Sequence, residues 1–412
     1  MTQTTELCRF CKERLNRVFI DLGISPLANS YLKPEELQQM EPHYPLCVYV
    51  CEACYLVQLP VYQTGEEIFS DYAYFSSYST SWLEHAREYT EKMITRFGFG
   101  PKSQVIEIAS NDGYLLQYFQ EKYVPVLGIE PAMNVAKAAN EKGIPTLVKF
   151  FGTQTALGLS EEGKRADLIV GNNVLAHVPD LNDFCQGMKI ILKENGIITM
   201  EFPHLMRLME ENQFDTIYHE HFSYFSFTTV EKVFAKHELI LFDVEELATH
   251  GGSLRIYARH SEDHSKPIGV RVGELKERER RAGFDRIDMY SSFGERVKKT
   301  KRAILTFLIK AKEEGKTLVG YGAPAKGNTL LNYCGIRTDF IDYTVDRSPH
   351  KQGQYLPGTH IPIYPPEKIK ETKPDYVVIL PWNLKEEIME QMAHIREWGG
   401  RFVVLIPEVE VL

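Results

Sequence analysis

The sequence predicts an α/β protein in three parts, a small metal-binding module followed by two strand–helix units. Two C-x-x-C pairs, Cys8/Cys11 and Cys51/Cys54, stand near the start. Short apolar strands alternate with helical segments between residues 104 and 201. The same alternation returns after residue 316. Alternation at this spacing implies parallel, doubly wound sheets. A chain of 412 residues has room for two to three domains, at about 150 residues each. The expected boundaries are 1–70, 71–245 and 246–412.

Composition narrows the class. Hydrophobic residues make up 43% and charged residues 25%, ample for a packed core and enough to exclude disorder as the main state. The net charge is −9 with no basic block, which argues against a nucleic-acid partner. No stretch approaches the ~18 apolar residues of a membrane span. The first residues show no basic segment followed by an apolar run, so no signal peptide is expected. A cytosolic location is the resulting expectation. There the cysteines are thiols or metal ligands rather than disulfides.

Each C-x-x-C places two thiolates on one side of a tight knuckle. Two knuckles close a tetrahedral sulfur shell around zinc. Cys8, Cys11, Cys51 and Cys54 are therefore the expected ligands, and four of them leave no open position for catalysis. The spacer between the pairs holds Pro26, Pro34, Pro42 and Pro45 and reads as a looped-out insertion. His43 and Cys47 read as bystanders, Cys185 and Cys334 as core thiols.

In the first strand–helix unit, residues 81–97 read as a helix with Ser79, Thr80 or Ser81 as cap. A strand at 104–109 runs into Ser110-Asn111-Asp112-Gly113 and then a helix over 114–123. A second strand, 126–129, ends in Glu130, and a helix over 132–142 follows. The strand at 167–170 ends in Gly171-Asn172-Asn173, and 196–201 is a further strand. Ligands bind beyond the carboxyl ends of such strands. Glu107, Ala109, Asn111, Asp112, Glu130 and Asn172 fall at those ends. An acidic residue closing the second strand can accept both hydroxyls of a ribose. The first loop is not G-x-G-x-x-G, because Ala109 and Asn111 stand where glycines would. Glu107 and Asp112 would also repel a pyrophosphate. S-adenosylmethionine (SAM) carries a sulfonium cation and no phosphate, so the acidic loop favours SAM over NAD.

Residues 218–224 read Tyr-His-Glu-His-Phe-Ser-Tyr. In an extended stretch Tyr218 and Glu220 share a face, and in a helical turn Tyr218 and His221 do. His221 has the pKa range of a general base. Glu220 suits orienting an imidazole or binding a substrate hydroxyl or amine. Tyr218 suits donation to an oxyanion. His177 lies just beyond the fourth strand, near the same pocket. The aromatic stretch 71–78, with Tyr72 and Tyr74, precedes the first helix. It reads either as reaching the methyl donor or substrate, or as a lid on the zinc module.

Thr249-His250-Gly251-Gly252 is a Gly-Gly turn feeding a strand. The charge-rich helical stretch 271–312 reads as a solvated face bridging to the last unit. There Tyr321-Gly322-Ala323-Pro324-Ala325-Lys326-Gly327-Asn328 reads as a Gly-rich loop before a helix. Lys326 makes a phosphate site plausible there, which keeps an NAD-dependent oxidoreductase as an alternative.

Taken together, the double C-x-x-C, DYAYFSSYS, EIASNDGYLL, GNNVLAHV, YHEHFSYFS, THGGSLR, GYGAPAKGNTLLNY and PGTHIPI resemble, in order and over nearly the whole chain, the SAM-dependent sugar C-methyltransferases of nucleotide-linked 4-keto deoxysugars. The resemblance implies a zinc module, a class I SAM methyltransferase (Rossmann-like) core and a C-terminal Rossmann-like domain, with substrate between them. It implies methyl transfer to carbon 3 of a sugar carried on dTDP or a similar nucleotide. His221 is then the preferred base, with Glu220 positioning it or holding the sugar. Tyr218, Tyr72 and His177 surround the sugar as enolate donors or alternative bases. Glu107, Asp112 and Glu130 hold SAM, and Tyr74, Lys326 and Asn328 contact substrate. A non-catalytic partner subunit with the same fold is the remaining alternative.

Overall fold

In the first module β1 (Arg17–Ser25) and β2 (Tyr44–Val50) pair antiparallel. β3 (Val57–Gln58) and β9 (Ser223–Tyr224) complete a four-stranded sheet. The computed structural model describes residues 6–66 and 75–412, so Tyr72 and Tyr74 lie outside the described residues. The spacer between the cysteine pairs, expected as a looped-out insertion, thus holds two strands. The sequence accounts for this: Leu46, Val48 and Val50 are buried at alternate positions of β2, the period of a half-buried strand.

The second sheet has the order β10-β11-β8-β7-β4-β5-β6. β4 (Val105–Ile108), β5 (Val126–Ile129), β6 (Thr146–Leu147), β7 (Ala166–Asn172) and β8 (Leu192–Pro203) run parallel. β10 (Leu239–Leu247) and β11 (Ser253–His260) are antiparallel, which corrects the expectation of a wholly parallel sheet. The short connection over 248–252 permits only an antiparallel return. The strand after the Gly-Gly turn therefore completes the second sheet and not the third. Strand order reverses between β4 and β7, the switch point where such sheets bind ligands.

Between these strands lie α1 (Thr80–Phe97), α2 (Leu116–Glu121), α3 (Met133–Glu141), α4 (Thr153–Glu161) and α5 (Leu181–Ile191). α6 (Leu205–Glu210) and α7 (Phe227–Lys236) separate β8 from β10. Ser79 caps α1, its hydroxyl accepting from the Trp82 amide at 3.3 Å. α2 starts later than position 114, because Asn111 and Gly113 hold positive φ and delay the helix.

The linking stretch forms α8 (Val270–Ala282), α9 (Ile287–Ser291) and α10 (Phe293–Glu313). Its charge is largely solvated, with one exception. Glu279 is fully buried; it bonds the His204 ring at 2.8 Å and accepts from the Phe227 and Thr228 amides at 2.6 and 2.8 Å. A carboxylate on the first amides of α7 is a favourable helix-end charge, and it locks α8 to the second unit.

β12 (Leu318–Tyr321), β13 (Thr344–Val345), β14 (Ile363–Tyr364), β15 (Tyr376–Ile379), β16 (Arg401–Val404) and β17 (Glu410–Val411) form the third sheet, in the order β14-β13-β12-β15-β16-β17. α11 (Ala325–Cys334) follows β12. One apolar cluster runs from Phe19 and Val48 of the first module through Phe293 and Ile304 to Leu331 and Val378. The first and third parts therefore share a core, and their junction with the second unit creates the site.

Candidate functional site

The loop after β4 lies at the switch point. Ala109 and Asn111 have φ of 57° and 49°, so the loop keeps a glycine-like path without those glycines. Such conformations cost on the order of 1–3 kcal/mol each and persist only where the surroundings over-determine them. Here they do. The Asn111 amide donates to Glu130 Oε2, and Asn111 Oδ1 accepts from the Ser76 and Asp112 amides, all at 2.9 Å. Glu130 Oε1 accepts from Ala132 at 2.9 Å, and Lys142 pairs with Asp112 at 3.0 Å. Ser77 also bonds Asp112. The described end of the aromatic stretch therefore lies over this loop. Phe75 and Tyr78 face His350 of the C-terminal unit and not the cysteine cluster.

Glu107 is 1% exposed, and neither of its carboxylate oxygens has a close, well-aligned hydrogen bond among the described residues, Tyr114 being the donor that faces it. Ser110 Oγ and Asp112 Oδ1 are unpartnered among the described residues, and Asn172 faces the Tyr114 hydroxyl. Burial, with the charges of Glu130 and Asp112, holds the Glu107 carboxyl well above the usual range, and burial raises Glu130 too. Buried acceptors without donors are costly. A ligand with hydroxyls, an ammonium group and a sulfonium satisfies them, so these residues fit SAM.

The Tyr–His–Glu–His segment forms a turn, the His221 amide donating to the Tyr218 carbonyl at 2.9 Å. This brings the Tyr218 and His221 rings to 4.0 Å, the helical-turn alternative. His219 points away, toward the Pro45 carbonyl at 3.2 Å, between Tyr44 and Tyr62. His177 joins the cluster: its ring lies 4.8 Å from that of His221, and its Nδ1 meets the Glu220 carbonyl at 2.8 Å. His221 Nδ1 meets the Thr216 carbonyl at 2.9 Å. A carbonyl only accepts, so Nδ1 carries the proton and Nε2 holds the lone pair. Burial, then the neighbouring His177, pushes the His221 pKa well below its usual value, and burial takes His177 down to about 4. Both imidazoles are neutral at physiological pH.

Glu220 is 5% exposed, and burial pushes its carboxyl up to about 7. Its partner comes from the first module, with Asn29 Nδ2 donating to Oε1 at 2.6 Å. The sequence reading missed Asn29, because nothing in a proline-spaced connection marks one amide. It also gave no role to His250. That residue has φ of 54°, accepts from Asn173 Nδ2 at 3.1 Å and packs on Trp82. Its loop is pinned by Thr249, which bonds Glu201 at 2.8 Å, and by Gly251, where a Cβ would stand 2.3 Å from the Trp382 ring. Burial opposes ionisation of Glu201, but His85 and Arg255 outweigh it and bring its pKa to about 2.

α11 begins at Ala325, so Lys326 and Asn328 stand on its first turn and not in a loop. Lys326 Nζ donates to Asn383 at 2.8 Å and lies 4.7 Å over the Trp382 ring, whose Nε1 donates to Asp215 at 2.7 Å. Burial lowers the Lys326 pKa, and burial raises that of Asp215 to about 6. Asn328 Nδ2 donates to the Ala28 carbonyl at 2.6 Å, tying the first module down. The Ala323 carbonyl, at the turn before α11, accepts from Tyr31 at 2.6 Å and Lys351 at 2.8 Å.

The four predicted zinc ligands converge, the sulfurs of Cys8, Cys11, Cys51 and Cys54 all lying within 4.8 Å of one another. Cys8–Cys54 and Cys11–Cys51 are 3.6 and 3.4 Å apart. A tetrahedron with metal–sulfur bonds of ~2.3 Å has edges of about 3.8 Å, so the donor set fits zinc. Cys185 and Cys334 are buried in apolar clusters.

The fold and these sites are those of a SAM-dependent methyltransferase carrying a structural zinc. The zinc-binding domain model matches residues 8–69, the methyltransferase domain model 82–241 and the C-methyltransferase C-terminal domain model 248–407. The chain is 34% identical to C-methyltransferase NovU of Streptomyces niveus over 98% of its length and 96% of that protein's. It belongs to this C-methyltransferase family. Among solved structures, magnesium protoporphyrin IX methyltransferase of Synechocystis with bound SAM is 12% identical and matches 43% of this chain and 79% of that one, at a TM-score of 0.33. The PH0226 protein of Pyrococcus horikoshii is 15% identical and matches 48% and 99%, at a TM-score of 0.38. Among the described residues no helix is long and apolar enough to cross a membrane.

Proposed function

We propose that this SAM-dependent C-methyltransferase acts on a nucleotide-linked 4-keto deoxysugar, methylating carbon 3 through an enolate. The observation that carries the reading is the state of His221. Its proton is fixed on Nδ1 by the Thr216 carbonyl, so Nε2 is the basic atom. The ketone at carbon 4 acidifies the carbon-3 hydrogen. His221 Nε2 takes that proton, and the C–H electron pair becomes the enolate with its charge on the carbon-4 oxygen. His177, His250 and Lys326 all bear electrostatically on His221. A group of basic side chains that suppress one another's charge favours an anion among them.

Tyr218, against the His221 ring, and Lys326 are the proposed enolate donors. Glu220 in its ionised form holds a sugar hydroxyl or amine through Oε2, which makes no hydrogen bond among the described residues. Tyr72 and Tyr74 are proposed beside the sugar on sequence grounds. Glu107, Asp112, Glu130 and Asn172, with the Ala109–Asn111 turn, hold SAM. SAM held by these residues would supply an electrophilic methyl carbon: the enolate's electron pair would form the new carbon–carbon bond to it, while the methyl–sulfur pair returned to the sulfonium sulfur as a neutral thioether. The expected location is cytoplasmic. His221→Asn tests the reading: carbon-3 deuterium exchange in the substrate falls while SAM affinity holds. Loss of SAM binding in that variant would refute the assignment.

A further inference from the structure

Asn29 belongs to the zinc-binding module, yet its amide crosses the domain junction to Glu220. The segment that carries it is held from the C-terminal unit. Asn328 bonds the Ala28 carbonyl and Tyr31 bonds the Ala323 carbonyl, both at 2.6 Å. Leu32 and Tyr355 exchange backbone bonds of 3.0 and 2.8 Å. Three parts of the chain therefore combine to aim one amide at one buried carboxylate.

We propose that Asn29 is a positioning residue for methyl transfer, with the zinc-binding module supplying the hydrogen bond that fixes the Glu220 carboxylate in place and in its ionised form. This rests on the reading of Glu220 given above. An amide NH₂ only donates, so it stabilises a carboxylate over a carboxylic acid. Among the described residues, the groups facing Glu220 are Asn29 and Tyr31 from the first module, Lys351 from the C-terminal unit, and His177, which bonds the Glu220 main chain. Lys351 also favours the carboxylate, whereas Tyr31 is neutral. Without the amide, Glu220 keeps its proton to higher pH, and the acid limb of the kcat profile moves alkaline.

The test compares kcat against pH at saturating SAM for wild type, Asn29→Ala, Asn29→Asp and Glu220→Gln, with bound zinc and SAM affinity measured alongside. Asn29→Ala is expected to lose roughly tenfold at pH 6, a shift of about one pH unit, and to return to within about threefold at pH 9. The isosteric Asn29→Asp is expected to move the limb further, since a second carboxylate faces the first. Zinc content and SAM affinity stay at wild-type values. An unshifted Asn29→Ala profile beside an inactive Glu220→Gln overturns this proposal alone. A fully active Glu220→Gln overturns the reading of Glu220 and this proposal with it. Loss of zinc or SAM binding in Asn29→Ala marks a merely structural role and also overturns it. If Asn29→Ala does not fold, the Asn29→Asp profile decides.

Discussion

Replacing Glu107 with Gln separates the stability of the empty protein from its affinity for SAM. The carboxyl is buried and faces the charges of Glu130 and Asp112, and these outweigh the Tyr114 hydroxyl that favours its ionised form. Its pKa is therefore raised in the folded protein. In the unfolded chain it ionises at about 4.3. Between that value and the folded pKa the unfolded state binds fewer protons, so stability falls as pH rises through the window. Gln keeps the shape and does not titrate. The apo Glu107→Gln protein is thus expected to unfold at higher temperature than wild type at pH 8, with a flatter pH dependence. The same change removes a charged acceptor from the proposed SAM site. A hydrogen bond to a charged group contributes about 1.5–3 kcal/mol, or roughly 10- to 150-fold in affinity. Calorimetry gives the affinity, and thermal unfolding across pH 5–9 gives the stability. SAM affinity within threefold of wild type, or an unchanged pH slope of apo stability, would refute the reasoning.

His221→Asn is expected to lower kcat about 10²- to 10⁴-fold, the usual contribution of a positioned base, with SAM affinity unchanged by calorimetry. Lys326→Met removes a buried ammonium proposed as an enolate donor, and a fall in kcat of about 10²-fold or more is expected in steady-state assays. Cys51→Ser opens the sulfur shell, so metal analysis should find less than stoichiometric zinc and denaturant unfolding a weaker first module. Glu279→Ala leaves His204 and the first amides of α7 without their acceptor, a loss of about 3 kcal/mol in urea unfolding. Despite burial, His204 and the Thr228 donors hold the Glu279 pKa down. That pair therefore contributes stability above the ordinary carboxylate range, and the contribution disappears as pH falls below the depressed pKa.

The parts of the fold written in local pattern were legible in the sequence. The double C-x-x-C reports its own geometry, and the four sulfurs meet as expected. The strands β4, β5 and β7 are apolar runs that end at the polar residues proposed to hold SAM. What depended on long-range pairing was not legible. The antiparallel β10–β11 hairpin looks the same in sequence as a strand of the next domain, and only its pairing with β8 assigns it. The spacer of the zinc module carries enough prolines to read as loop, although the alternation in β2 makes it sheet. At the site, the pattern allowed Tyr218 either of two faces, and the turn closed by the His221 amide and the Tyr218 carbonyl selects the one shared with His221. Asn29 and Glu220 stand 191 positions apart, and no periodicity or motif links residues that meet only when domains dock.

The measurement that tests the central claim most directly is product analysis after incubation with SAM and a dTDP-linked 4-keto deoxysugar. By NMR the account predicts a new methyl carbon bonded to sugar carbon 3, and loss of the carbon-3 hydrogen to solvent catalysed by wild type but not by His221→Asn. A methyl group on oxygen or nitrogen, or wild-type exchange at carbon 3 in the variant, would contradict it.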